Sequence, residues 1–300
     1  MKKFDVIGVG LSAVDYLGIV DEYPPPADRK IRMSQFTIQG GGPVATALVA
    51  LSRLGAKTAF VGKMGDDESG NLMKSHLTEE NVDVSHVVIE PGASSHPAFI
   101  VVDQATGSRT IFWSEAQISP LRASEVDRDF IIAARILHLD GIQIEAGLTA
   151  ARWAKEAGIT VVLDGDTIMD GIDELVGLTD VLITSHNFAS QFTGLDDPER
   201  AMDKMRSLGP GIAGITLGDD GCILSWENNT HREPAFAVNT VDTTGAGDVF
   251  HGAFIYGLLQ DWPMENIARF ANAVAAMKCR KLGGRAGIPT LDETMAFLEH

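Results

Sequence analysis

The 300-residue sequence has few cysteines, few basic residues and no long apolar run. Its two cysteines, Cys222 and Cys279, are too far apart to suggest a disulfide framework or metal-ligand spacing, which is typical of a reducing compartment. Near the N-terminus, Asp5 and Gly8 interrupt the first apolar run, so this run is too short for a secretory signal or a membrane span. We therefore expect a cytoplasmic protein with no membrane partner.

Positive charge is scarce, because 24 Lys and Arg residues stand against 41 Asp and Glu residues, giving a formal net charge of -17. A nucleic-acid-binding protein needs a basic face, so this balance argues against a nucleic-acid partner. It does not exclude an anionic substrate, because helix N-termini can bind phosphate even on an acidic protein. Apolar residues make up 45% of the chain, which is enough to bury a sizeable core.

Short apolar segments alternate with helical patterns along most of the chain. Apolar segments bounded by polar residues or glycine predict strands at 4–9, 58–61, 136–139, 160–163, 181–184 and 212–217. Periodic patterns predict helices at 43–54, 71–80, 147–156, 170–177 and 199–207. The alternation predicts one α/β domain over residues 1–300, with a doubly wound, mostly parallel sheet between two layers of helices.

Other segments break this alternation. Residues 14–20, 31–38 and, more loosely, 98–113 alternate apolar with polar or small residues, as strands do when one face is exposed. We expect a small second sheet, inserted into the domain by segments at about 12–40 and 96–115. Beside the carboxyl ends of parallel strands, such a sheet would form a lid over a ligand crevice. The alternative is an ordinary edge hairpin.

The most informative stretch reads VDTTGAGDVFHGAF, from Val241 to Phe254. Its apolar residues recur at spacings of three and four, which predicts a helix that starts at the glycine-rich turn. This turn, 245–247, would point free N–H groups out of the helix N-terminus, where they can bind an anion. Asp248 is then either a helix cap or a general base beside a bound phosphate.

This string resembles the C-terminal signature of the ribokinase-like (PfkB) carbohydrate kinases. The resemblance implies that Gly245, Ala246 and Gly247 form an anion hole for the transferring phosphoryl group. It also implies that Asp248 takes the proton from a sugar hydroxyl. Phosphoryl transfer needs positioning, charge stabilisation and a base, which these residues can supply. The resemblance extends over essentially the whole chain and implies ATP, Mg²⁺, a lid and a homodimer.

A second string, from Gln39 to Gly65, resembles the N-terminal signature of the same family. Gly41 and Gly42 would let backbone amides approach a sugar closely, unless they form only a helix-entry turn. The resemblance implies that Asp15 binds sugar hydroxyls, with a turn cap as the alternative. Lys30 matches a lysine of a sulfonate-binding site in one branch of the family, and an exposed, solvated lysine is the alternative.

The resemblance also implies a nucleotide site and two cation sites. Thr216, Gly218 and Gly221 correspond to the segment at the nucleotide ribose, and Asn272 to an asparagine near the adenine. Carbonyls of the loops at Asp242 and Arg285 correspond to ligands of a monovalent cation such as K⁺. The family's Asn-x-x-Glu metal motif is absent here, so Asp164 and Asp166 are the candidates for the water shell of Mg²⁺.

Several substrates remain open. The residues after Gly42 differ from those of ribokinases, which argues against ribose. Other segments resemble sulfofructose kinase and ketohexokinase, but Trp113 and Ile142 stand where an anionic sulfonate would need donors. We therefore expect a ketohexose or a related sugar. The alternatives are sulfofructose, a nucleoside that stacks on Phe36, Phe99 or Trp113, and a non-catalytic sugar sensor, for which Asp248 would be superfluous.

Overall fold

The computed structural model describes residues 2–25, 27–114 and 117–299. The strands are β1 (Phe4–Val9), β2 (Ala13–Val20), β3 (Gln35–Gly41), β4 (Thr58–Val61), β5 (Lys63–Gly65), β6 (Val88–Glu90), β7 (Pro97–Asp103), β8 (Arg109–Trp113), β9 (Ala134–Leu139), β10 (Thr160–Gly165), β11 (Val181–Ser185), β12 (Ile212–Thr216), β13 (Cys222–Trp226) and β14 (Asn229–Glu233). The helices are α1 (Pro43–Arg53), α2 (Glu68–Glu79), α3 (Arg128–Ile131), α4 (Ile144–Glu156), α5 (Ile172–Gly177), α6 (His186–Thr193), α7 (Pro198–Arg206), α8 (Ala246–Leu259), α9 (Met264–Lys278) and α10 (Leu291–Leu298). Within these described residues, no helix has the length and apolar character needed to cross a membrane.

The main sheet has eight strands in the order β14-β13-β12-β11-β10-β9-β1-β4. Strands β4, β1, β9, β10, β11 and β12 are parallel, and β13 and β14 add an antiparallel hairpin at one edge. Alternate residues of each parallel strand enter two different cores. Val6 packs on the side of α1, α2, α8 and α9, whereas Ile7 packs on the side of α3 to α7. The predicted three-layer α/β fold is confirmed.

A separate four-stranded sheet has the order β3-β2-β7-β8 and is called the small sheet below. Its inner face packs Leu17, Ile19, Ile100 and Val102 against Leu282 of the main body. Strands β2, β7 and β8 lie within the predicted segments, whereas β3 starts four residues later than the predicted strand at 31–38 and ends at Gly41. The small second sheet is therefore confirmed, and the chain does not form a mere edge hairpin there.

The outer face of the small sheet carries exposed apolar side chains. The strand register places Ile38, Tyr16, Phe99 and Phe112 in one row across the four strands. Phe99 is 55% exposed and Phe36, on the same face, is 57% exposed. These aromatic rings therefore point away from the crevice, which does not fit the alternative in which Phe36 or Phe99 stacks on a nucleoside there.

Candidate active site

A cleft of about 790 Å³ lies between the carboxyl ends of the parallel strands and the inner face of the small sheet. Most of the residues predicted to form a site line this one cleft. They are Asp15, Gly42, Asp164, Asp166, Thr216, Gly218, Gly221, Gly245, Ala246, Gly247, Asp248 and Asn272. Gly41, Asp242 and Arg285 lie behind the lining.

Hydrogen bonds to the carboxylate of Asp242 fix the conformation of the glycine-rich turn. One carboxylate oxygen of the buried Asp242 accepts hydrogen bonds from the N–H and hydroxyl of Thr244, at 2.8 and 2.7 Å. The other accepts from the N–H of Gly283 at 2.7 Å. Gly245 then takes a φ of 72° as the N-cap of α8, a left-handed conformation that favours glycine. The turn is thereby tied both to the residue that precedes it and to the loop after α9.

Gly247 and Asp248 occupy the first turn of α8, where backbone N–H groups lack partners within the helix. A Cβ atom at Gly247 would meet no other atom within 4 Å, so the backbone there borders open cleft. Burial and the charge of Asp166 raise the pKa of Asp248 to about 6, against the opposing effect of cations such as Arg109. Asp248 is thus a carboxyl with a near-neutral pKa beside an anion-binding turn, which suits a general base.

Asp15 lies on β2 and lines the same cleft as Asp248. Its side chain lies so close to β3 that a Cβ at Gly41 would come within 2.2 Å of one carboxylate oxygen. Burial raises the pKa of Asp15 to about 7, Arg285 lowers it, and Asp248 raises it. The effect of Asp248 on the pKa of Asp15 is consistent with the position of both carboxyl groups in one cleft.

The predicted cation site involves backbone carbonyls of the loop at Arg285, and the side chain of Arg285 has a separate role. Its Nη2 donates to the carbonyl of Gly41 at 2.9 Å, and its Nε donates to the hydroxyl of Thr46 at 3.3 Å. Arg285 thus supports the strand that carries Gly41 and balances the buried charge of Asp15. Its backbone carbonyl accepts a hydrogen bond from Arg53 at 2.9 Å.

The predicted nucleotide segment forms the other end of the cleft. Thr216 ends β12, and Gly218 and Gly221 bound the short 3₁₀ turn that follows it. The amide nitrogen of Asn272 donates to the carbonyls of Glu233 and Pro234, each at 3.1 Å. Asn272 therefore holds the wall at residues 233–234, and its relation to an adenine stays a prediction.

Asp164 and Asp166 lie at the carboxyl end of β10 and are separated by Gly165. Asp164 is buried, with one carboxylate oxygen 3.4 Å from Nδ1 of His251. Burial, and then Asp248 and Asp166, raise the pKa of Asp164 well above its usual range. Asp164 is buried and Asp166 is exposed, and like charges that interact in this way favour a bound cation. In the described part of the chain, no group of three or more His, Cys, Asp and Glu side chains that could hold a metal ion occurs.

Lys30 does not reach the cleft. It is exposed in the connection between β2 and β3, and no described residue forms a hydrogen bond or ion pair with it. The placement corresponds to the solvated alternative. Trp113 is 71% exposed at the edge of the small sheet, and neither it nor Ile142 lines the cleft.

Two residues of this region escaped the sequence analysis. Arg109 of β8 lines the cleft and donates to the Thr243 hydroxyl at 2.8 Å, which connects the small sheet to the glycine-rich turn. Asp140 accepts from the N–H groups of Leu11 and Ile142, at 2.7 and 3.0 Å, and fixes the end of β1. The only signal for Asp140 was its place directly after an apolar strand, and Arg109 had none.

Comparisons with known proteins agree with this geometry. The sequence model of the pfkB family of carbohydrate kinases matches residues 3–291. Ribokinase of Haemophilus influenzae is 30% identical over 277 residues, which cover 88% of this chain and 89% of that protein. Fructokinase-1 of Oryza sativa subsp. japonica is 30% identical over 285 residues, covering 86% and 88%. The structure of Thermotoga maritima ribokinase superposes with a TM-score of 0.83 at 26% identity and covers 99% of this chain and 100% of that one. The chain therefore belongs to the pfkB family of carbohydrate kinases, enzymes that phosphorylate a hydroxyl group with ATP.

Proposed function

We propose that this kinase phosphorylates a neutral sugar, with a ketohexose as the leading candidate. The observation that carries the proposal is the composition of the cleft. Its described lining includes five aspartates, Asp15, Asp164, Asp166, Asp219 and Asp248, but Arg109 is its only arginine or lysine. Asp15 and Asp248 offer acceptors to sugar hydroxyls, and apart from Arg109 the described lining has no lysine or arginine that could pair with an anionic group on the sugar. This favours a neutral sugar over sulfofructose.

In the proposed reaction, Asp248 accepts the proton of the attacking hydroxyl as the oxygen approaches the γ-phosphorus of ATP. The N–H groups of the Gly245–Gly247 turn and the N-terminus of α8 stabilise the negative charge that shifts across the phosphoryl oxygens. Asp15 accepts hydrogen bonds from neighbouring hydroxyls and so orients the sugar. In this proposal, Asp248 removes the proton, the Gly245–Gly247 turn stabilises charge, and Asp15 positions the sugar.

We also propose Mg²⁺ as the metal that accompanies ATP. Asp166 and Asp164 would hold it, largely through water, at the carboxyl end of β10. When bound, the ion would neutralise charge on the β- and γ-phosphates. It would also offset the mutual repulsion of Asp164, Asp166 and Asp248.

The outer face of the small sheet supports a proposal for a homodimer. An exposed row of aromatic and aliphatic side chains of this kind marks an interaction surface. A second copy is the occupant that we propose, because a two-fold axis pairs one patch with itself. The partner's small sheet would then cover Phe36, Ile38, Phe99 and Phe112.

A coupled assay of ATP turnover with fructose, ribose, 6-sulfofructose and adenosine tests the substrate. We expect the highest kcat/KM for fructose. Asp15→Ala should raise KM for fructose at least about tenfold, because a site built to bind hydroxyls loses its partner. Lys30→Ala serves as the matched control and should leave kcat and KM for fructose unchanged. A preference for 6-sulfofructose with a large Lys30 effect, or a preference for adenosine, would refute the neutral-sugar proposal. Sugar binding without turnover would indicate a sensor.

A further inference from the structure

Lys278, in the last turn of α9, is a lysine with 0% of its side chain exposed. Burial of an ammonium group is costly unless a partner compensates for it. The partner here is a backbone carbonyl, because Nζ donates to the oxygen of Asp242 at 2.9 Å. Burial lowers the pKa of Lys278, and the nearby Asp242 carboxylate opposes this by favouring the charged form.

The neighbouring carbonyls are also engaged. Nη1 of Arg53 donates to the carbonyls of Arg285 and Ile288, each at 2.9 Å. The amide of Gln39 donates to the carbonyl of Leu282 at 3.1 Å. A monovalent cation is held by carbonyl oxygens that replace its water shell. In the loops at Asp242 and Arg285, side-chain donors already use these oxygens, and two of the donors carry positive charge.

We propose that the Lys278 ammonium takes the place of the monovalent cation predicted for these loops, so that this kinase needs no K⁺. Two positive charges at one carbonyl would repel each other, so the lysine and the ion exclude one another. Lys278 would act as a positioning residue. It holds the backbone of Asp242, whose carboxylate holds Thr244 and Gly283 and thereby the turn at Gly245. The inference requires the kinase family, but it does not depend on which sugar is the substrate.

The first test uses the unmodified protein in KCl and in choline chloride at equal ionic strength. We expect the midpoint of thermal unfolding to be the same in both salts, and kcat with the best sugar to differ by less than about twofold. A tenfold or larger activation by K⁺, or a clear stabilisation by K⁺ alone, would overturn the proposal. The unfolding measurement needs no substrate, so it remains informative even if the sugar has been assigned wrongly.

The second test removes the charge with Lys278→Met, which keeps a similar length. In choline chloride we expect kcat to fall about tenfold or more with little change in KM for the sugar. KCl should then restore part of kcat and raise the unfolding midpoint, because the vacated carbonyl can accept an ion. Lys281→Met, at an exposed lysine just after α9, is the matched control and should respond to neither salt.

Full activity of Lys278→Met in choline chloride would overturn the proposal, as would a loss that KCl does not relieve. The latter result would leave Lys278 as a packing residue only. If the methionine variant does not fold, Lys278→Arg keeps the charge and should remain active without K⁺. A requirement of this arginine variant for K⁺ would equally contradict the proposal.

Discussion

The proposed reaction requires that Asp248 be a carboxylate that is both ionised and basic. Exposed aspartates are ionised at neutral pH but are weak bases. Burial at the N-terminus of α8 and the charge of Asp166 raise the pKa of Asp248 to about 6, while Arg109 and Lys278 prevent a larger rise. The side chain is therefore ionised at pH 7 and still has a useful affinity for a proton.

We expect Asp248→Asn to lower kcat by about 10²–10⁴-fold, the usual effect of losing a general base, with little change in sugar affinity. Steady-state kinetics and calorimetric titration of the sugar would measure the two quantities. Asp197→Asn is the matched control, because Asp197 caps α7 through the N–H of Arg200 and lies outside the cleft lining. A folded Asp248→Asn protein with near-normal kcat would show that Asp248 is only a cap.

The raised pKa also predicts the pH dependence of the reaction. Below about pH 6 Asp248 holds a proton and cannot accept another, so kcat/KM should fall about tenfold per pH unit as pH decreases through this value. Asp166→Asn should move this limb to lower pH, because it removes a neighbouring negative charge. Initial rates between pH 5 and 8 would provide the profile. A flat profile down to pH 5 would argue against Asp248 as the base.

At the scale of elements, the turn before α8 combines two glycines with different requirements. Gly245 needs its left-handed backbone, whereas Gly247 borders open space. We expect Gly247→Val to abolish turnover, because the new side chain would project into the place of the phosphoryl group. The fold and sugar binding should remain. Turnover and calorimetry would separate these effects, with Gly211→Val, directly before the amino end of β12 and outside the described cleft lining, as the control. If the Gly247→Val protein still turns over, the turn serves only as the start of α8 and does not bind the phosphoryl group.

The sequence predicted best those elements whose residues carry their own pattern. The strand at 4–9 is confirmed as Phe4–Val9, because both faces of β1 are buried. The start of α2 was missed by three residues, since its first turn is polar and is fixed by the Asp67 cap. Strand β14 has no apolar pattern and forms because β13 offers it an edge.

The same distinction applies to the site. Asp15 and Asp248 stand within motifs, and both line the cleft as expected. Arg109 could not be assigned, because its partner Thr243 lies 134 residues away. Lys278 ends an apolar helical pattern, and only the fold places its ammonium on the carbonyl of Asp242. Contacts between distant segments therefore account for what the sequence analysis missed.

At the scale of the whole molecule, the proposed dimer makes a prediction about assembly. Light scattering at micromolar concentration should give twice the mass of the chain. Phe99→Asp should give a monomer, because it places a charge in the middle of the apolar row. Leu208→Asp, at an exposed leucine between α7 and β12, should remain dimeric. A wild-type monomer would contradict the proposal.

Two hydrogen bonds of strand β3, which pairs with the strand that carries Asp15, join segments that the ribosome synthesises at very different times. The Gln39 amide donates a hydrogen bond to the carbonyl of Leu282, and Arg285 donates one to the carbonyl of Gly41. The second pair is separated by 244 residues along the chain. At about 5–20 residues per second, a ribosome needs roughly 12–50 s to cover that separation. The nascent chain lacks the turn before α8 for most of this interval and lacks Arg285 until its end. If the proposed mechanism holds, the growing polypeptide therefore cannot transfer a phosphoryl group before most of the chain has been synthesised.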